Sequence, residues 1–108
     1  MKLRSVRGTH DLFGEDINKY NIINSVVSKN AKINSFKELQ TPIIEFTDLF
    51  SKPLGEQSDV VLKEMYTFKD RNDDLLTLRP EYTTPMIRAA ITNNLLNELP
   101  LKVYGIGP

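Results

Sequence analysis

The sequence contains no cysteine, which excludes disulfides, thiolate metal ligands and a cysteine nucleophile. That absence fits a reducing compartment. Histidine is nearly as scarce. His10 stands alone, so no histidine-rich metal site can be built from these residues. An excess of one charge is missing too. Fourteen basic and fourteen acidic side chains cancel, leaving no global pull toward nucleic acid or a membrane surface. No apolar signal core opens the chain, and no apolar run approaches a membrane span. There is no internal repeat, low-complexity tract or linker. The default expectation is a cytoplasmic protein with no membrane partner and no metal site.

What is present fits one soluble globular domain, or part of one. The 108 residues are 40% apolar and 26% charged. A chain of this length buries roughly 60–70% of its unfolded surface. Lys2, Arg4 and Arg7 make a locally basic start, read on charge alone as a solvated terminus.

The first segment, Val6 to Gly14, reads as an ordered loop punctuated by Gly8 and Gly14. A helix is predicted from about Asp16 to Ile33. Its apolar stripe is Ile17, Tyr20, Ile23, Val27 and Ala31, and Ile22 and Val26 widen it enough to bury more than one side. Asn34 is the expected left-handed stop. Phe36 to Ile44 reads as a strand in which Pro42, lacking a donor, marks an edge or an end. Phe46, Leu49 and Phe50 suggest a short helix over Thr47–Ser51, and Gly55 to Asp59 a polar loop. Met65–Asp70 and Leu75–Leu78 flank Arg71–Asp74, which predicts a hairpin with a turn of about four residues. Thr84 and Pro85 then suit the N-cap and first position of a helix reaching about Asn97. Leu101 to Ile106 reads as a last strand. Like Leu75–Leu78, it is apolar enough to require sheet neighbours.

The junction Leu78-Arg79-Pro80-Glu81-Tyr82-Thr83-Thr84-Pro85 places a carboxylate and two hydroxyls where a strand meets a helix. Loops held by rigid elements commonly carry function. On the residues alone, Glu81 also has a plain explanation: a carboxylate before a helix gains about 0.3–1 kcal/mol from the N-terminal dipole. Arg79 and Arg88 read as salt-bridge partners of nearby carboxylates. Asp73-Asp74 lacks the alternating spacing of a calcium loop and reads as a solvated turn, and His10 as a solvated side chain.

Several of these stretches together resemble the amino-terminal part of bacterial-type histidyl-tRNA synthetases, in that family's order and spacing. They are Arg7-Gly8-Thr9-x-Asp11, Phe36-x-x-Leu39-x-x-Pro42-Ile43-Ile44, Lys63-Glu64-Met65-Tyr66-Thr67-Phe68-Lys69-Asp70 and Leu76-Thr77-Leu78-Arg79-Pro80-Glu81-x-Thr83. The resemblance covers essentially the whole chain, and the Met65–Thr83 block is its most specific part. It implies a mixed α/β fold of the α+β type, an antiparallel sheet with flanking helices from a class II aminoacyl-tRNA synthetase catalytic domain. It implies ATP with magnesium and histidine as substrates, histidyl-adenylate as product and tRNA as acceptor. It also implies a homodimer built largely on the first class II signature, the helix and the Pro42 strand. The family's histidine-recognition loop falls on Glu81, Tyr82 and Thr83. Glu81 would meet the substrate's ammonium and Thr83 would add a hydrogen bond. Arg7 and Asp11 match their segment without an assigned role. Many members have glycine where Tyr82 stands, and a tyrosine fits if its ring points away from the pocket.

The same resemblance implies that the second class II signature follows Tyr104-Gly105-Ile106-Gly107-Pro108, with the groups that stabilise phosphate charge. Residues 1–108 are therefore expected to be an amino-terminal fragment without catalytic or cofactor-binding residues of its own, inactive alone and marginally stable. Two alternatives are a catalytically silent regulatory paralogue, of the kind that serves ATP phosphoribosyltransferase, and a dimerisation module. That regulatory group often has aspartate at the place of Glu81. Glu81 and the Lys63–Phe68 block favour the synthetase.

Overall fold

The computed structural model describes residues 1–54 and 64–108, with residues 53 and 54 described by backbone alone. The expected Gly55–Asp59 loop lies outside the described residues. The chain divides into two compact units, Met1–Lys37 and Glu38–Pro108.

The first unit is a loop followed by one helix, α1 (Gly14–Ile33). The helix starts two residues earlier than the apolar periodicity suggests. Gly14 takes φ 60°, a left-handed value that glycine reaches without a Cβ clash. Glu15 and Asp16 then sit in the first turn and Lys32 in the last, each matching the helix dipole. The left-handed stop is not Asn34, whose φ is −94°, but Ser35 at 65°. Asn34 is instead the last half-helical residue. The Ser35 amide donates to Lys32 O at 3.1 Å and the Phe36 amide to Ala31 O at 2.8 Å, which satisfies two end carbonyls.

No residue of α1 is buried. Ile17 and Ala31 are half-buried, while Ile22 and Ile23 are 63% and 62% exposed. The expectation that this helix buries more than one side is therefore not met among the described residues. Periodicity records an apolar face, but burial also needs a covering surface, and this unit supplies a single helix.

The second unit is mixed. Its order is β1 (Lys37–Glu38, straddling the division), β2 (Ile44–Phe46), α2 (Asp48–Leu54), β3 (Thr67–Lys69), β4 (Leu75–Leu78), α3 (Thr83–Thr92) and β5 (Val103–Tyr104). The predicted Phe36–Ile44 strand is thus two short strands. Pro42 has no donor, and the carbonyl and hydroxyl of Thr41 are engaged by a side chain rather than by a ladder.

β2, β4 and β3 form an antiparallel sheet in that order, with Ile44 opposite Leu78 and Thr67 opposite Thr77. β4 is therefore an interior strand with a neighbour on each side. β5 pairs with β1, and the Leu39 amide donates to Tyr104 O at 2.9 Å. The β3–β4 turn is built by Asp70, whose Oδ1 accepts from the amides of Asn72 and Asp74, with Asp73 at φ 63°. Asp73 and Asp74 are exposed, as a solvated turn requires.

The core of this unit is small. Phe50 of α2 and Ala89 and Ala90 of α3 are its buried apolar side chains among the described residues, joined by fully buried Pro85 and Thr77. The Thr77 hydroxyl donates to Tyr66 O at 3.0 Å, and the Leu78 amide donates to the same oxygen at 3.0 Å.

Candidate functional site

β4 ends at Leu78, and the chain needs four residues to turn into α3. Arg79 extends the ladder once more, its amide donating to Ile43 O at 2.9 Å. Pro80 then prevents any further donation, and Glu81 begins the turn into the helix.

Glu81 caps α3. The Thr83 amide donates to its Oε2 at 2.6 Å, and the Thr84 amide donates to Oε1 at 2.9 Å and Oε2 at 3.2 Å. Thr84 is accordingly not the N-cap. The helix begins at Thr83, and its flanking residue Tyr82 contributes no side-chain cap. The Glu81 side chain instead reaches forward to the Thr83 and Thr84 amides at the start of the helix. Pro85 becomes the third helical residue, where a missing N–H still costs nothing because the first four have no partner in the helix. α3 stops at Thr92, short of the predicted Asn97. Asn94 turns left-handed at φ 56°, and Leu95–Asn97 form a separate 3-10 turn.

Glu81 and Thr83 are both exposed. The structure brings them together on the solvent side of the junction. Each carboxylate oxygen accepts more than one hydrogen bond, so a carboxylate holding two amides keeps acceptor capacity for a cation. The amides fix its orientation in advance.

Tyr82 goes elsewhere. Its ring lies under the Arg79 guanidinium, 4.0 Å from the ring centroid. It also covers Gly105, where an added Cβ would stand 2.5 Å from Tyr82 Cε1 and 2.9 Å from Leu39 O. The tyrosine therefore occupies the chain's own backbone rather than the space beside Glu81 and Thr83.

The two arginines divide. Arg88 behaves as predicted, its Nη2 lying 2.7 Å from Oε1 of Glu45, which is 9% exposed. This ion pair ties α3 to β2. Arg79 has no aspartate or glutamate partner among the described residues. Its Nε donates to Pro108 O at 2.6 Å, and its Nη1 to Thr41 Oγ1 at 2.8 Å and Thr41 O at 3.1 Å. The sequence could not show this, because backbone carbonyls carry no sequence mark. The signal available was Gly105-x-Gly107, two glycines beside a short strand, which is how close backbone approach is commonly written.

In the first unit, Arg7, His10 and Asp11 are exposed in the opening loop. Among the described residues no group of three or more histidines, cysteines, aspartates or glutamates could hold a metal ion. Among them, too, no helix is long and apolar enough to cross a membrane.

Comparisons with known proteins agree on one family. Residues 8–108 match the family profile described as histidyl-tRNA synthetase. A histidine–tRNA ligase of Ehrlichia chaffeensis is 45% identical over 99% of the chain, and one of Malacoplasma penetrans is 46% identical over all of it. Those alignments span 25% and 26% of the relatives, so the chain covers about a quarter of their length. The apo structure of Staphylococcus aureus histidyl-tRNA synthetase superimposes with a TM-score of 0.84 at 36% identity, over 99% of this chain and 29% of that one. A Bacillus halodurans protein described as an ATP phosphoribosyltransferase regulatory subunit/histidyl-tRNA synthetase gives 0.77 at 18% identity over 97% of this chain, a likeness of fold.

Proposed function

The chain belongs to the histidyl-tRNA synthetase family, and from that premise we propose that it supplies the amino-terminal part of a histidine–tRNA ligase. Its part in the reaction is to recognise histidine. Glu81 receives the substrate's ammonium and Thr83 adds a hydrogen bond, while ATP with magnesium and tRNA serve as the further substrates. The observation that carries this reading is the pre-oriented, solvent-facing Glu81 carboxylate, held by the Thr83 and Thr84 amides. An ammonium leaving water needs a compensating anion, and such a charge-assisted hydrogen bond contributes about 1.5–3 kcal/mol.

Assembly as a homodimer through α1 and the Pro42 strand is part of the same proposal. The exposed apolar side chains of α1 support it. So is a cytoplasmic location. The chain covers about a quarter of its relatives' length, and the same proposal holds that these residues alone form no adenylate.

The test is a chimera in which residues 1–108 replace the matching segment of the Staphylococcus aureus enzyme. Histidine-dependent pyrophosphate exchange should be active in the chimera and absent from the 108-residue chain. Glu81→Gln keeps the shape and removes the charge, and should weaken histidine use by about 1.5–3 kcal/mol. Unchanged exchange would sink the assignment. A chimera that folds but exchanges no pyrophosphate would favour the regulatory reading.

A further inference from the structure

Arg79 stands two residues before Glu81, and its acceptors lie 29 and 38 residues away in sequence. They are a main-chain oxygen of Pro108, and the carbonyl and hydroxyl of Thr41. The Thr41 acceptors are neutral, so at that end the guanidinium is not compensating a buried charge. What it supplies is geometry, because its donors form a rigid planar fork. The fork ties the backbone before Glu81 to two other stretches of the unit. Tyr82, the residue after Glu81, lies beneath the same guanidinium and against Gly105. An added Cβ at Gly107 would stand 3.0 Å from Arg79 Nη2, so this glycine too leaves room for the arrangement. Glu81 is thereby held from both sides, although its own side chain is exposed.

We propose that Arg79, stacked on Tyr82, is a positioning residue for the amino-acid site. It fixes the backbone on either side of Glu81 so that the carboxylate keeps the orientation in which it binds the Thr83 and Thr84 amides and meets an ammonium. This rests on the reading of Glu81 as a substrate contact. A displacement of about 1 Å at such a site can cost roughly a hundredfold in rate. Lysine would keep the charge but not the fork.

The experiment pairs two measurements on Arg79→Lys, Arg79→Gln and Tyr82→Leu. Amide hydrogen exchange is followed both in the 108-residue chain and in the Staphylococcus aureus chimera, so the outcome does not hang on the stability of either. Exchange at Thr83 and Thr84 should accelerate roughly tenfold while the β3 and β4 amides stay unchanged. In the chimera the KM for histidine should rise by a similar factor with the KM for ATP unmoved. Unchanged exchange at Thr83 and Thr84, or acceleration spread evenly through β3 and β4, would overturn the proposal; the even loss is what a merely structural residue gives. Should Arg79→Gln fail to fold, the lysine and Tyr82 variants decide. If Glu81→Gln leaves histidine use intact, the substrate reading falls, and the exchange data still decide whether Arg79 positions the loop.

Discussion

α1 runs for twenty residues without burying one of them, whereas the second unit closes around Phe50, Ala89, Ala90, Pro85 and Thr77. Both regions carry apolar side chains at regular spacing. The first is held by backbone hydrogen bonds and its own end structures. The second is held by contacts distant in sequence: the Arg88–Glu45 pair, the Arg79 fork and the three-stranded ladder. An apolar stripe therefore states that a face is to be covered, and says nothing about what covers it. The stability of the isolated chain should reside almost wholly in the second unit.

Replacing one apolar residue in each unit breaks or sharpens that contrast most strongly. Phe50→Ala should cost about 3–5 kcal/mol, comparable to the entire stability of a small domain. Ile23→Ser, on the exposed face of α1, should stay within about 0.5 kcal/mol at concentrations where the chain is monomeric. Urea unfolding followed by circular dichroism measures both. An effect that grows with protein concentration is what the proposed dimer through α1 gives, and sedimentation of the same samples would show it; a large effect in the monomer would show that α1 is covered within the chain.

Next in size is the link between β2 and α3. Glu45→Ala removes the partner of Arg88 and should cost about 1.5–3 kcal/mol, the range for hydrogen bonds to charged groups. The same urea titration reads it. A loss below about 0.5 kcal/mol would place this pair with ordinary surface ion pairs and weaken the claim that distant contacts hold the unit.

Gly105→Ala should cost about 1–3 kcal/mol, the usual penalty for overpacking. Its Cβ would meet both the Tyr82 ring and Leu39 O. Adding Tyr82→Ala should recover part of that loss and not all, since the backbone oxygen remains. A double-mutant cycle gives the coupling, and full additivity would show that the ring does not rest on Gly105 in solution.

Local chemistry made much of this fold legible. The β3–β4 hairpin follows from two β-rich runs around Asp70–Asp74, α2 from Leu49 and Phe50, and the start of α3 from its flanking threonines and proline. The site was legible in part. Glu81 and Thr83 do come together, but as cap and capped amide, because the helix begins at Thr83 and leaves the Thr83 and Thr84 amides to the Glu81 carboxylate. Other features depend on choices that residue type leaves open. Asn34 and Ser35 both suit a helix end, and hydrogen bonding to Ala31 and Lys32 selects the serine for the left-handed position. Arg79 invited an aspartate or glutamate partner and found main-chain oxygens and the Thr41 hydroxyl instead. An acceptor present in every residue leaves no trace in a sequence.

Thr77 has a consequence for alignment. Tyr66 O receives both the Thr77 hydroxyl and the Leu78 amide, and Thr77 has no exposed surface. Sliding β4 by a single residue would turn that hydroxyl to the opposite face and present an apolar side chain to the same carbonyl. The hydroxyl thus acts as the tooth of a ratchet. Valine has nearly the same shape and would fill the same space, but it would let the strand rest at neighbouring settings, and the junction carrying Glu81 would start from a different place in each.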